Sequence, residues 1–501
     1  MDHSIKPIPS FLLLVLGLLL TLLVSNPSYG AVANPIVDLP TDYDDAIAGG
    51  QTLTGTLNGA NYRIRVPAGF RNGTLLVYAH GHRDKADHDG EIDDTSADAA
   101  LGGAAMEDAL LALGYAVAGS AYRDNGWAVQ EGISDTLALT NHFRNTIGAP
   151  SKTILWGSSM GSVVTFKSIE LYPDVYDGAI PMCGVAAGST MSFDSTLAFT
   201  AAYDVAFGWP ESWGTVADVR DDLDFETEVA PVLVPQAQQQ SNFGKFEFIR
   251  LVSGLPMDGF YEDVGGSTPW LFTGMYFLTE ARAELERRAG GPAIQNANHI
   301  YTLTDEEKTY LTGLGVDAES MLTEVNNRTN IEANPTARAY LEQYADYTGN
   351  ITRPVITLHT TKDGLMSVAN ETVYKEKVAE AGQSDLLYQV YTESVGHCTF
   401  TLEQLIATIS AMDKWLTAPE GADSLNGPTP PGPAPTAADF TAAGFVNDFV
   451  PPAWPITFSD DPTNVSLAEF SAQAAAGGGW FALLPMLMVL AGFFYLRRRN
   501  T

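Results

Sequence analysis

Gly157-Ser158-Ser159-Met160-Gly161 follows the apolar run Thr153–Trp156 and opens a helical stretch. A G-x-S-x-G pattern between a strand and a helix makes a sharp turn that lifts its central serine, here Ser159, above the sheet edge. The Oγ is then exposed, and the N-terminus of the helix favours an oxyanion formed beside it. Alone, the pattern also fits an ordinary glycine turn. A serine hydroxyl is a weak nucleophile and needs a base that an acid orients. His397 stands in Ser394-Val395-Gly396-His397, just past the run Leu386–Tyr391. Asp363 stands in Thr361-Lys362-Asp363-Gly364, just past Val355–His359. Singly, Asp363 reads as a turn former and His397 as a loop histidine. Together with Ser159 they give a serine, an acid and a histidine in order, each at the end of a candidate strand, and that set is the specific signal. Glu393 is a second candidate acid, but it lies close before His397 and has no strand end of its own.

Placing three such residues side by side requires a sheet. The apolar runs Tyr62–Val66, Thr74–Ala79, Tyr115–Ser120, Thr153–Trp156, Gly178–Met182, Val355–His359 and Leu386–Tyr391 read as strands. Helices are expected over 97–113, 129–147, 160–171, 369–382 and 400–417. Apolar strands alternating with helices imply an α/β fold with a mostly parallel central sheet covered on both faces. Between about 188 and 350 the alternation stops, and only helical and turn-like segments remain, such as the capping box Thr304-Asp305-Glu306-Glu307. A stretch of that length is an inserted subdomain, since loops are far shorter.

With these residues in place, the chain resembles the α/β-hydrolase superfamily of secreted serine esterases over about 50–186 and 351–418. The resemblance implies a core in two parts, 34–187 and 351–420, with a large, mainly helical cap (188–350) inserted after Gly178–Met182, the sixth strand of that fold. It implies acyl transfer: Ser159 attacks, His397 shuttles the proton, Asp363 holds the imidazole, and water resolves the acyl-enzyme without metal or organic cofactor. Met160 N–H then serves the oxyanion hole. In many esterases and lipases an H-G-x turn supplies the second donor; here His80-Gly81-His82 points to the His82 N–H, with Gly81 next. Gly157 and Gly161 complete the nucleophile elbow. The insert is rich in aromatics from Phe193 to Phe277. Most are expected to form its own core, and a few to line an apolar cleft for an acyl or aryl ester, small or polymeric. A serine peptidase of aminopeptidase or prolyl type is the alternative; the chain leaves no room for the propeller of many prolyl enzymes. A non-catalytic surface binding protein is the third reading, and the intact Ser159, Asp363 and His397 weigh against it.

His80-x-His82-x-Asp84 followed by His88 nearly matches a dinuclear metal pattern, but Lys85 occupies a ligand position and no later ligand series completes it. No metal is therefore expected. The acidic run Asp87–Asp94 lacks EF-hand spacing and reads as a solvated loop. Cys183 and Cys398, the only cysteines, both fall near the site, where a disulfide would pin the histidine loop; two buried thiols are the alternative.

The 501 residues carry 27 Lys+Arg against 60 Asp+Glu, a net charge of −33 that disfavours nucleic acid and other polyanions as partners. Residues 1–33 read as a signal peptide, with the apolar run Phe11–Val24 and an Ala31-Val32-Ala33 cleavage site. Gly427–Pro435 is a proline-rich linker within 421–476, a stretch expected as linker or stalk; its part 436–476, small and acidic with scattered aromatics, reads either as a stalk or as a segment that packs back on the core. At 477–501, Gly477-Gly478-Gly479, the apolar run Trp480–Leu496 and Arg497-Arg498-Arg499 resemble the glycine-glycine C-terminal sorting signal of Gram-negative bacteria. That resemblance implies transient inner-membrane anchoring, cleavage by a rhombosortase-type protease after export, and release to the cell surface, outer membrane or medium. A plain C-terminal membrane anchor is the alternative.

Overall fold

The chain enters its sheet through a hairpin. In the computed structural model, which describes residues 50–454 apart from 71–72, 262–267, 298, 329 and 418–431, β1 (Gln51–Leu57) turns into β2 (Ala60–Val66) at Asn58-Gly59. Both turn residues have positive φ, the conformation that matches a two-residue turn to strand twist. The signal segment 1–33 and the sorting segment 477–501 lie outside the described residues. No described helix is long and apolar enough to cross a membrane.

β3 (Thr74–Ala79), β4 (Ala116–Ser120), β5 (Lys152–Ser158), β6 (Gly178–Met182), β7 (Val355–Lys362) and β8 (Leu387–Val395) complete an eight-stranded sheet of order β1-β2-β4-β3-β5-β6-β7-β8. β2 runs antiparallel to both neighbours, and every other pair is parallel. This is the α/β-hydrolase fold. The parallel strands β3 to β6 are buried along nearly their whole length because helices cover both faces. Leu75, Val77 and Leu155 face α2 (Val129–Thr146) and α3 (Met160–Leu171), whereas Leu76, Tyr78 and Trp156 share the opposite core with α1 (Ala104–Ala112). That alternation is the two-residue period of a strand.

Several element boundaries differ from the sequence expectation, and three differ most. β1 carries little sequence signal, because its outward face is Thr52, Thr54 and Thr56 and its other face is interrupted by Gly55. The helix expected over 97–113 begins only at Ala104, since Gly102 and Gly103 both adopt positive φ. The turn before them presses Asp98 onto β4, where a Cβ on Gly119 would stand 1.8 Å from the Asp98 carbonyl oxygen. β8 extends to Val395 rather than Tyr391 by pairing with β7 across a bulge near Thr360–Lys362.

Between β6 and β7 the described residues form eight α-helices, with three short 3-10 or π turns among them: α4 (Ser189–Phe207), α5 (Ala230–Ala237), α6 (Phe243–Val252), α7 (Trp270–Leu278), α8 (Glu280–Ala289), α9 (Asp305–Gly313), α10 (Ala318–Asn326) and α11 (Pro335–Ala345). They enclose a core of their own, including Tyr203, Trp213, Phe246, Phe248, Phe260 and Phe272. Full burial of each such side chain contributes about 1.5–3 kcal/mol. Charged anchors tie this insert to the sheet side: Glu284 accepts from the Trp127 N–H at 2.8 Å, and Arg288 meets Asp124 at 3.1 Å and Glu131 at 3.2 Å. After β7 come α12 (Asn370–Glu380) and, after β8, α13 (Leu402–Trp415), capped by Thr401 and Gln404. Within the stretch expected as linker or stalk, residues 432–454 return to the sheet, with α14 (Ala437–Thr441) placing Phe440 in the core shared by α1 and α13.

Candidate active site

Because β3, β5, β6, β7 and β8 are parallel, the residues that follow them collect along one sheet edge. Ser159 sits between β5 and α3 with φ 55° and ψ −125°, a strained conformation for a residue with a side chain. The flanking glycines allow the turn. A Cβ on Gly157 would lie 2.3 Å from the Gly161 carbonyl oxygen, and one on Gly161 would lie 2.0 Å from that of Ala79. The two adjacent serines part company here. Ser158 is buried with its Oγ 2.7 Å from the Tyr78 hydroxyl, whereas Ser159 faces the histidine.

His397, two residues past β8, places Nε2 2.8 Å from Ser159 Oγ and Nδ1 2.7 Å from Asp363 Oδ2. Asp363 is buried, and its other oxygen accepts from the N–H groups of Leu365 and Met366, both at 2.9 Å. Those two bonds fix the carboxylate so that Oδ2 has one orientation toward the imidazole. A hydroxyl, an imidazole and a buried carboxylate in this relay can pass the serine proton to Nε2 while the carboxylate stabilises the imidazolium. Glu393 is exposed on β8 and is not the partner of His397.

The histidine loop is held from two sides. The Gly396 N–H donates to the Lys362 carbonyl at 3.0 Å, and the Thr360 hydroxyl donates to the Gly396 carbonyl at 2.8 Å. Cys183, directly after β6, and Cys398, directly after His397, form a disulfide across 215 residues of sequence. Among the described non-glycine residues only Asn58, Tyr122, Ser159, Cys183 and Cys398 have positive φ, and three of these five belong to this site. Cross-linking so long a loop stabilises a fold by about 2–5 kcal/mol. The Cys183→Ala/Cys398→Ala double variant should therefore melt about 2–5 °C lower than wild type in a protein of this size. Identical melting of the two proteins without reductant would contradict that role.

On the other side of Ser159, the turn after β3 brings Gly81 close. A Cβ there would stand 3.2 Å from Ser159 Cβ and 3.8 Å from its Oγ, so a side chain at this position would crowd Ser159. Met160 is the first residue of α3, and its N–H lies where a helix has no acceptor of its own. The His80 Nδ1–H donates to the Gly81 carbonyl at 2.7 Å, and its ring stacks on Tyr122 at 3.9 Å. The His82 ring packs among Trp127, Tyr276 and Phe277. Burial pushes the His80 imidazole down to about 3 and that of His82 to about 4, so both are neutral at pH 7. They shape the loop.

The histidine-rich metal pattern is not assembled: among the described residues, no group of candidate ligands includes His80 or His82. Asp84 instead accepts from the Tyr276 hydroxyl. The acidic run 87–94 is more than a solvated loop, because cations pair with it. Arg287 bonds Asp87, Lys85 meets Asp93 at 3.2 Å, and Arg83 meets Asp94 at 3.4 Å. Asp87, His88 and Glu91 could converge on an ion, as could Asp84, Glu91 and Glu280.

Ser159 opens onto a cavity of about 440 Å³. Phe193, Phe199 and Phe277, from the aromatic insert, line it, with Trp127 and Leu365 from the core loops. One part of the wall is polar, formed by Asp194, Gln295, Asn296 and His299. Asp194 is held by Arg338 at 2.7 Å and by the Gln295 N–H at 2.8 Å, yet burial keeps its carboxyl above the usual range. Trp127 and Trp454 were not among the residues expected from sequence to line the site, and nothing in their local context signals it.

The sequence matches no protein-family model and no curated protein. Among solved structures, the chain is similar to an esterase from Aspergillus oryzae, with 16% identity, 76% of this chain and 83% of that one covered, and a TM-score of 0.34. Brefeldin A esterase, a bacterial homologue of human hormone-sensitive lipase, is similar at 14% identity over 74% of this chain and 73% of that one, with a TM-score of 0.31. Pyrococcus horikoshii acylaminoacyl peptidase is similar at 9% identity over 70% of this chain but only 38% of that one, with a TM-score of 0.34.

Proposed function

We propose that this chain is an exported serine hydrolase that cleaves carboxylic esters with an apolar acyl or aryl group. The observation that carries the reading is the relay Asp363–His397–Ser159, whose serine lines a largely apolar cavity. In this mechanism Ser159 Oγ attacks the ester carbonyl as His397 Nε2 takes its proton. The N–H groups of Met160 and of His82 or Gly81 receive the oxyanion. Collapse of the tetrahedral intermediate expels the alcohol, which takes the proton from His397, and leaves an acyl-enzyme. A water, deprotonated by the same imidazole, then releases the acid and restores Ser159. Aromatic walls favour an apolar group over a charged one.

The disulfide beside His397 supports an oxidising compartment, in keeping with the signal sequence read at residues 1–33. Processing at 477–501 by a rhombosortase-type protease, with the mature protein at the cell surface of a Gram-negative bacterium or outside it, completes the proposal. The full chain should be assayed with p-nitrophenyl esters of rising acyl length and with aminoacyl-p-nitroanilides. Ester turnover with little anilide turnover is expected. Preferential anilide cleavage would put the peptidase reading first, and silence on both panels without fluorophosphonate labelling would leave a binding protein.

A further inference from the structure

The segment 432–454 belongs neither to the hydrolase core nor to the cap, yet it is anchored along its length. The Gly432 N–H donates to the Trp415 carbonyl at 2.7 Å, and Asp439 pairs with Lys414 at 2.6 Å. Phe440 is fully buried and stacks on Tyr388, and Phe445 bridges Thr392 on the outer edge of β8. The Val446 N–H donates to the Tyr391 carbonyl at 2.9 Å, and Phe449 packs on the Tyr391 ring at 5.0 Å. Finally, the Thr372 hydroxyl in the first turn of α12 lies 3.3 Å from the Pro451 carbonyl oxygen and 2.8 Å from that of Pro452. Two residues on, Trp454 joins Ser159, Leu365 and Met366 in lining the cavity.

We infer that this strap is a substrate-binding element and that Trp454 is a specificity-determining wall, limiting the length of the apolar group the cavity accepts. The inference rests on the proposed serine hydrolase reading. An indole is large and rigid, so it sets a firm boundary at little cost in conformational entropy. Its position depends on the Thr372 bonds to the two prolines just before it. The strap would thereby make residues beyond the last core helix part of the substrate site, a role neither a tether nor a stalk would have.

The test compares full-length wild type with Trp454→Ala, Trp454→Phe and Thr372→Val, using p-nitrophenyl butyrate and dodecanoate. Inactivation by a short-chain and a long-chain alkyl fluorophosphonate is measured in parallel. Opening the wall in Trp454→Ala should raise the dodecanoate-to-butyrate ratio of kcat/KM about tenfold, the scale of a changed apolar pocket contact. Thr372→Val should shift it the same way by about threefold, as loss of a positioning hydrogen bond would. Trp454→Phe should stay near wild type. An unchanged ratio in a Trp454→Ala protein that still turns over butyrate would overturn the strap role and leave the esterase reading intact. Phosphonate rates at Ser159 that shift with chain length in Trp454→Ala, without ester turnover by wild type, would uphold the strap and overturn the esterase. Absence of both turnover and labelling would overturn both.

Discussion

Replacing Asp363 with Asn should lower kcat for ester hydrolysis about 10,000-fold while leaving the protein folded. The substitution is nearly isosteric. One amide oxygen can still accept from the Leu365 and Met366 N–H groups that hold the native Oδ1. The other position then presents an NH₂ to His397 Nδ1, where the native Oδ2 accepts at 2.7 Å. Two donors cannot face each other, so the imidazole is driven to the tautomer that carries its proton on Nε2. That nitrogen lies 2.8 Å from Ser159 Oγ and can no longer take the serine proton. The carboxylate that would stabilise the imidazolium is also gone. Urea unfolding should give a midpoint close to wild type, separating a chemical loss from a structural one. A fall in kcat of less than tenfold, with the fold intact, would mean that Asp363 is not the orienting acid.

Ser159→Ala should cost still more, about a million-fold in kcat, because the nucleophile acts as a unit with its base. The residual rate comes from binding and the oxyanion donors alone. A companion substitution distinguishes chemistry from backbone strain. Ser159 holds φ at 55°, which glycine adopts freely and alanine does not. Ser159→Gly should therefore be as inactive as Ser159→Ala but more stable by about 1 kcal/mol. Ester turnover that persists in both variants would place the nucleophile elsewhere.

Much of this site's geometry was legible because a serine–histidine–acid relay restricts residue type. A glycine-flanked serine after a strand, then an acid and a histidine after later strands, leave few arrangements in a parallel sheet. The same reasoning located Cys183 and Cys398 near the site from their positions after Met182 and His397, and the two are bonded. β1 is hard to read in the sequence because Thr52, Thr54 and Thr56 alternate with the half-buried Leu53 and Leu57 and the exposed Gly55, giving little apolar signal. Asn58-Gly59 was the available clue, a two-residue turn that calls for a strand on each side. The division of the insert's aromatics between core and cavity was not legible. Phe277 lines the cavity while Phe272, on the same helix α7, is buried in the insert's own core, and only tertiary packing separates them. For the strap the sequence left a stalk and a segment packed on the core equally open. Phe440 and Phe445 sit in a small-residue, proline-rich context, and their burial depends on the exposed edge of β8 rather than on any local periodicity.

The most direct measurement is to trap the intermediate. The full chain is mixed with a p-nitrophenyl ester, quenched in acid within the first turnover, digested and mapped by mass spectrometry. The expected result is an acyl group on the peptide containing Gly157–Gly161, fragmenting to Ser159 rather than the buried Ser158, and absent from the His397→Ala protein. Turnover without any acylated peptide, or an acyl group on another residue, would contradict the assignment of Ser159 as the nucleophile.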